Sequence, residues 1–274
     1  MTERNVNIME KIKLWKNGTP GFNPEFEQEE TTITPYLLNN GKKNGCVIVC
    51  PGGAYRMKAE HERGPIVEML NKNGVSAFSL DYRVAPYRYP YITEDVLRAV
   101  RYVRYNAEKF NIDSSKIGVL GFSAGGHLAS SAMNCFDYGK EGDEIDAVSS
   151  RPDFGILCYP VVSFDKYMHT GSRDNLIGAD NPDKKALSIK LSLELNVKDD
   201  TPPAFIWHTM DDGGVDSRNS LELAIAMRTR GIPCELHIFQ SGKHGLGLAE
   251  GCGNVWQWAG LLGEWLKLNG YAAE

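Results

Sequence analysis

The stretch KIGVLGFSAGGHLASSAM, Lys116 to Met133, decides how this chain reads. It opens with Ile117, Val119 and Leu120, a short apolar run with the length and branching of a buried strand. It closes with Ala124, Leu128, Ala129 and Ala132, small apolar residues at helical spacing. Between them Gly121-Phe122-Ser123-Ala124-Gly125 forms the pattern G-x-S-x-G. A sharp turn from strand to helix needs glycine on either side of the serine, because a side chain at Gly121 or Gly125 collides with the neighbouring strand or helix. The spacing therefore predicts Ser123 raised above a sheet with its Oγ exposed. The N–H of Ala124 then points to where an oxyanion would form. Alone the pattern is weak, since glycine and serine are common; a flanking strand and helix make it specific.

At 274 residues the chain reads as a single domain, 1–274. With 42% hydrophobic and 24% charged residues it can bury a large core. A formal charge of −5 leaves no basic footprint for nucleic acid. The N-terminus carries scattered charges and no signal-peptide core, and no apolar run approaches a membrane span, so a cytoplasmic location with no membrane partner is expected. Cys46, Cys50, Cys135, Cys158, Cys234 and Cys252 are dispersed in mostly apolar runs and read as reduced thiols. The six histidines make no H-E-x-x-H pattern. Neither a metal nor a cofactor is expected.

Along the chain, residues 1–30 read as a loose arm over the sheet, and Thr31 to Leu38 as an edge strand because of Pro35. Cys46 to Cys50 is continuously apolar, the mark of a strand covered on both faces. It runs into Pro51-Gly52-Gly53-Ala54-Tyr55, whose glycines let the backbone turn. A helix from Pro65, a strand Val75 to Leu80, a helix Asp95 to Phe110 and the serine strand follow. Strand and helix in alternation predict a parallel α/β sheet. After the strand Phe154 to Pro160 the rhythm breaks, and residues 161–200 read as an insert over the sheet's C-terminal edge. Ala204 to His208 is a strand leading into the acidic loop Asp211-Asp212. Helix Ser220 to Arg230, strand Cys234 to Phe239 and the loop holding His244 come next. The last helix, Asn254 to Leu268, carries Val255, Trp258, Leu261, Leu262 and Trp265 on its apolar side.

Ser123, an acid and His244 each follow a strand, which places them on one edge of a parallel sheet. A serine hydroxyl attacks only if a base takes its proton, and an imidazole does so only if a carboxylate fixes its tautomer. His127 reads as a helix residue, His208 and His237 as strand residues, and His61 and His169 as loop residues. LGFSAGGHLA, preceded by VCPGGAY and DYRVAPYRYP and followed by TPPAFIWHTMDD and SGKHGLGLA, resembles the bacterial α/β-hydrolase esterases related to hormone-sensitive lipase. The likeness is to the branch containing acetyl-xylan and feruloyl esterases, and it spans about Cys46 to Leu268. It implies an α/β-hydrolase fold with Ser123 as nucleophile and His244 as base. It also implies an acid in the Asp211-Asp212 loop and oxyanion donors at Gly53, Ala54 and Ala124. Enzymes of this kind place the acid four residues after a histidine and three before a valine; His208 and Val215 then select Asp212.

Two departures bear on the substrate. Lipase-like relatives read His-Gly-Gly-Gly where this chain has Pro51-Gly52-Gly53-Ala54, and the N-terminus is too short for their helical cap. An open site suits an acylated sugar, so the expected activity is deacetylation of a carbohydrate, the partner being a small-molecule or oligosaccharide ester. A feruloyl esterase needs an apolar slot, for which Tyr55, Tyr159 and the insert are candidates. A short-chain carboxylesterase, a prolyl-oligopeptidase-type peptidase and a non-catalytic binder on the same scaffold are the other readings.

Overall fold

In the computed structural model, which describes residues 6–272, strand β4 (Asn44–Cys50) is buried at every position. Its apolar run forms a strand covered by helices on both faces. Eight further strands complete the sheet: β1 (Val6–Ile8), β2 (Ile12–Lys13), β3 (Thr32–Leu38), β5 (Ser76–Asp81), β6 (Ile112–Phe122), β7 (Phe154–Cys158), β8 (Ala204–Thr209) and β9 (Cys234–Phe239). The order is β1-β3-β5-β4-β6-β7-β8-β9, with β2 also against β3. From β5 to β9 neighbouring strands are parallel, while β1, β2 and β5 run antiparallel to β3. This is the α/β-hydrolase architecture. The order reverses at β4, which pairs with β5 on one side and β6 on the other, so the open crevice lies at its C-terminal end.

Helices α2 (Tyr91–Tyr105), α3 (Ala124–Asn134) and α6 (Arg218–Thr229) cover one face with Val96, Val100, Leu128, Leu223 and Met227. The other face carries α1 (Gly64–Lys72) and α7 (Trp258–Leu268), with Ile66, Leu70, Leu262 and Trp265 packed against Val47, Phe154 and Phe205. Trp258 stacks on Trp207 of β8 with ring centroids 5.1 Å apart. Trp258 and Trp265 are core residues, as their helical spacing predicts.

The structure departs from the sequence reading at strand β3, in the arm before it and at the start of α2. Strand β3 is interior, because β1 and β2 cover its outer side. Pro35 is tolerated there because its carbonyl accepts from Met9 N–H in the gap between those strands. A residue's N–H and C=O face the same side of a strand, so the missing donor falls where no ladder partner is needed. Residues 6–30 of the arm are correspondingly tied down, and residues 1–5 lie outside the described residues. Helix α2 starts at Tyr91, just after Pro90, and puts Asp95 inside. There Asp95 pairs with the fully buried Arg83 at 2.7 Å. Residues 161–200 fold into α4 (Thr170–Ile177), α5 (Lys184–Lys190) and a short 3₁₀ turn. No helix among the described residues is long and apolar enough to cross a membrane.

Candidate active site

Strand β6 turns into α3 at Ser123, whose backbone is held at φ 53°, ψ −119°. An L-residue adopts such a conformation only when its surroundings impose it. Three bonds do so: Ser123 N–H donates to Cys158 O, and Ser123 O accepts from His127 and Val161 N–H, all at 3.0–3.1 Å. The neighbouring glycines are sterically required. A Cβ on Gly121 would lie 1.9 Å from Gly125 O, and one on Gly125 would lie 2.1 Å from Cys50 O.

His244 stands beyond β9 with Nε2 2.8 Å from Ser123 Oγ and Nδ1 2.7 Å from Asp212 Oδ2. The second oxygen, Asp212 Oδ1, accepts the N–H groups of Gly214 and Val215 at 2.8 and 3.0 Å. His208 Nε2, which hydrogen-bonds to Val215 O, approaches Asp212 Oδ2 at 3.3 Å. Burial pushes the Asp212 carboxyl up, but hydrogen bonds from His208, His244 and Val215 outweigh it and hold the group well below the usual carboxylate range. Asp212 is therefore an anion throughout the neutral range. Asp211 faces the other way, accepting from Ser241 Oγ at 2.6 Å and Gly242 N–H at 2.8 Å, and so staples the loop that carries His244. Gly214 lets the two loops meet, since a Cβ there would sit 2.8 Å from His244 Cβ.

The turn after β4 supplies the opposite wall. Gly53 has φ 131°, and a Cβ on it would lie 2.2 Å from Met57 O, while Ala54 and Tyr55 adopt φ 56° and 57°. The N–H groups of Gly53, Ala54 and Ala124 donate to no protein acceptor among the described residues, and Gly53 and Ala54 line the cavity next to Ser123. Asn175 from α4 fixes this loop by donating to Ala54 O at 2.9 Å. The cavity is open, about 410 Å³, and small residues (Gly53, Ala54, Ala59, Gly171, Gly245) make up much of its wall.

Tyr55 and Tyr159, expected as substrate contacts, are buried and stand behind the cavity. The Tyr55 hydroxyl bonds to His127 Nδ1 at 2.8 Å, and the His127 Nε2 reaches Leu191 O of the insert at 2.9 Å. Burial lowers the His127 pKa to about 4, so the ring is neutral and couples the turn after β4 to the insert. Tyr159 meets the His244 ring edge-on at 5.0 Å. Its hydroxyl donates to Glu62 Oε1 at 2.6 Å and accepts from Gly247 N–H at 2.9 Å.

Three side chains at this site were not singled out by the sequence. Glu62 is buried, and its Oε2 accepts Gly52 N–H at 2.7 Å. Burial raises its pKa, against hydrogen bonds from Tyr159 and Gly52. One carboxylate thus braces the turn after β4, Tyr159 and, through Tyr159, the loop after His244. His61 and His169 line the cavity. His169 Nδ1 accepts from Ser172 N–H at 3.1 Å, which puts its proton on Nε2. Burial, with the nearby His244, lowers its pKa and keeps it neutral.

The BD-FAE family model matches residues 36–227. Endo-1,4-beta-xylanase B of Butyrivibrio fibrisolvens is 41% identical over 251 residues, which are 89% of this chain and 38% of that protein. Acetylxylan esterase of Xylanibacter ruminicola is 34% identical over 235 residues, 84% of this chain and 47% of that protein. The chain thus spans less than half the length of these two relatives. The crystal structure of an acetyl ester-xyloside bifunctional hydrolase from Caldicellulosiruptor lactoaceticus matches with a TM-score of 0.92 at 44% identity, over 96% of this chain and 97% of that one.

Proposed function

The chain belongs to the BD-FAE family of α/β-hydrolase esterases, and from that premise we propose that it is a serine carboxylic ester hydrolase that removes acetyl groups from a carbohydrate. The observation that carries the reading is the unbroken line from Ser123 Oγ through His244 to Asp212, at 2.8 and 2.7 Å. His244 Nε2 takes the proton as Ser123 Oγ attacks the ester carbonyl. Asp212 holds the other proton on Nδ1 and stabilises the imidazolium. The N–H groups of Gly53, Ala54 and Ala124 receive the oxyanion without reorganising, because the loop is already braced by Glu62 and Asn175. The alcohol leaves with the proton from Nε2, and water attacks the acyl-enzyme by the same route.

The space behind Ser123 supports a short acyl group. Tyr55, His127, Tyr159 and Trp207 fill it and are buried. Among the described residues no Phe, Tyr or Trp lines the cavity to stack on a feruloyl ring, and the small residues Gly53 and Ala54 stand beside Ser123, which favours an acetyl group. The bulky alcohol stays in the open half of the cavity. The likeness to an acetylxylan esterase and to an acetyl ester-xyloside hydrolase favours a sugar as that alcohol. A panel of 4-nitrophenyl acetate, 4-nitrophenyl octanoate, methyl ferulate and acetylated xylo-oligosaccharides tests this. Preference for the two acetates is expected; faster turnover of the octanoate or the ferulate would reject the reading.

A further inference from the structure

His61 lines the catalytic cavity and also a second groove of about 760 Å³ between α1 and the start of α7. Gly245 lines the first and Leu246, the next residue, lines the second, so the two spaces adjoin across one wall. The hydrolytic steps make no use of the second groove.

Its distinctive residue follows from local geometry. The turn at Gly251 and Gly253, both at positive φ, releases the chain into the 3₁₀ turn Val255–Gln257 ahead of α7. Val255 and Trp258, three apart, both point inward and are fully buried. That phase leaves Trp256 on the outer side at 57% exposure, while Trp15, Trp207, Trp258 and Trp265 are all buried. Four residues on, Gly260 shares the face of Trp256, and nothing lies within 4 Å of a Cβ placed there. An exposed indole thus borders open space, with Leu246 and Leu248 nearby and Glu68, Lys72 and Glu250 also lining the groove.

We propose that this groove binds the glycosyl chain of an oligosaccharide whose acetyl ester lies at Ser123. The inference rests on the function proposed above and adds that the substrate is a chain of sugars, not an isolated acetylated sugar. A pyranose has an apolar C–H face and a rim of hydroxyls; the indole suits the first, and Glu68 and Lys72 suit the second. The mixed charges offer no uniform field for a polyanion. An acyl chain gains little from a groove open to water on one side.

Two variants test it. Trp256→Ala removes the platform, and Gly260→Phe fills the space beside it at a site where the fold has room. Each should raise KM for acetylated xylo-oligosaccharides about tenfold, the equivalent of one aromatic contact, with kcat within about twofold. The specificity ratio of oligosaccharide over 4-nitrophenyl acetate should fall by the same factor, and Trp256→Phe should recover most of it. If the wild type deacetylates the oligosaccharides and neither variant moves that ratio, the groove assignment is wrong while the esterase reading stands. If the wild type cleaves 4-nitrophenyl acetate but no acetylated carbohydrate, the groove assignment and the carbohydrate substrate both fall, while the esterase reading stands. A KM rise confined to 4-nitrophenyl octanoate would make the occupant an acyl chain and overturn the proposal.

Discussion

Substituting Asp212 by Asn tests the proposed catalytic geometry, because both carboxylate oxygens have fixed duties. Oδ1 accepts two backbone N–H groups, from Gly214 and Val215, and Oδ2 faces His244 Nδ1 at 2.7 Å and His208 Nε2 at 3.3 Å. An Asn carbonyl must take the Oδ1 position. The reverse orientation would set an NH2 group against two N–H donors and leave each without an acceptor, at about 1–3 kcal/mol apiece. The NH2 then faces His244 Nδ1 and cannot accept a proton from it. The imidazole responds by carrying its proton on Nε2, where it can no longer take the proton of Ser123. Asp212→Asn should lower kcat on an unactivated acetate ester by about four orders of magnitude, roughly 5 kcal/mol of barrier. Far-UV circular dichroism and the cooperative thermal transition should remain. Asp211→Asn keeps a carbonyl for Ser241 or Gly242 and should cost less than about tenfold, since Asp211 only staples a loop. A kcat for Asp212→Asn within tenfold of wild type, or the reverse order of damage, would refute the reasoning.

Other consequences follow from packing and burial. Gly125→Ala drives a Cβ to 2.1 Å from Cys50 O and 2.4 Å from Pro51 O, so urea unfolding should show a loss of about 3 kcal/mol; unchanged stability would contradict the tight elbow. Glu62→Ala leaves Gly52 N–H and the Tyr159 hydroxyl without their acceptor and should cut kcat about a hundredfold with little change in KM, while Glu62→Gln, which keeps one acceptor, should lose less than tenfold. Equal losses in the two variants would exclude a hydrogen-bonding role. His127 is buried neutral, with a folded pKa of about 4 against 6.5 when unfolded. The unfolded chain therefore binds the extra proton first as the medium acidifies. The associated stability, about 3 kcal/mol, is present above pH 6.5 and is lost as pH falls toward 4. An NMR titration of this ring near 6.5 would contradict it.

The sequence made the strands and the serine turn legible because both write themselves locally. A strand covered on both faces must be apolar throughout, as Cys46 to Cys50 is, and a turn as tight as that at Ser123 must exclude side chains at Gly121 and Gly125. Asp212 is favoured over Asp211 only through the resemblance, by its spacing from His208 and Val215, and these three residues do contact one another in the structure. What was not legible depends on partners far apart in sequence. Glu62 looks like one more charge in a polar segment until Gly52 and Tyr159 are brought to it. Tyr55 and Tyr159 stand in the sequence as candidates for an apolar slot, but their hydroxyls turn inward to His127 and Glu62. Pro35 signalled an edge strand because the short β1 and β2, which cover it on either side of a gap, have too little periodicity to be seen. Trp256 differs from Trp258 only in helical phase, which a shift of one residue at the start of the turn would reverse.

The central claim is that Ser123 is the nucleophile of an ester hydrolase, and covalent labelling reads it most directly. Treatment with diethyl 4-nitrophenyl phosphate, followed by peptide mass spectrometry, should place one diethylphosphoryl group on the peptide carrying Ser123. Esterase activity should disappear in proportion to the label, and Ser123→Ala should take up none while keeping its fold. Full loss of activity with the label on another residue, or activity within tenfold of wild type in Ser123→Ala, would contradict the account.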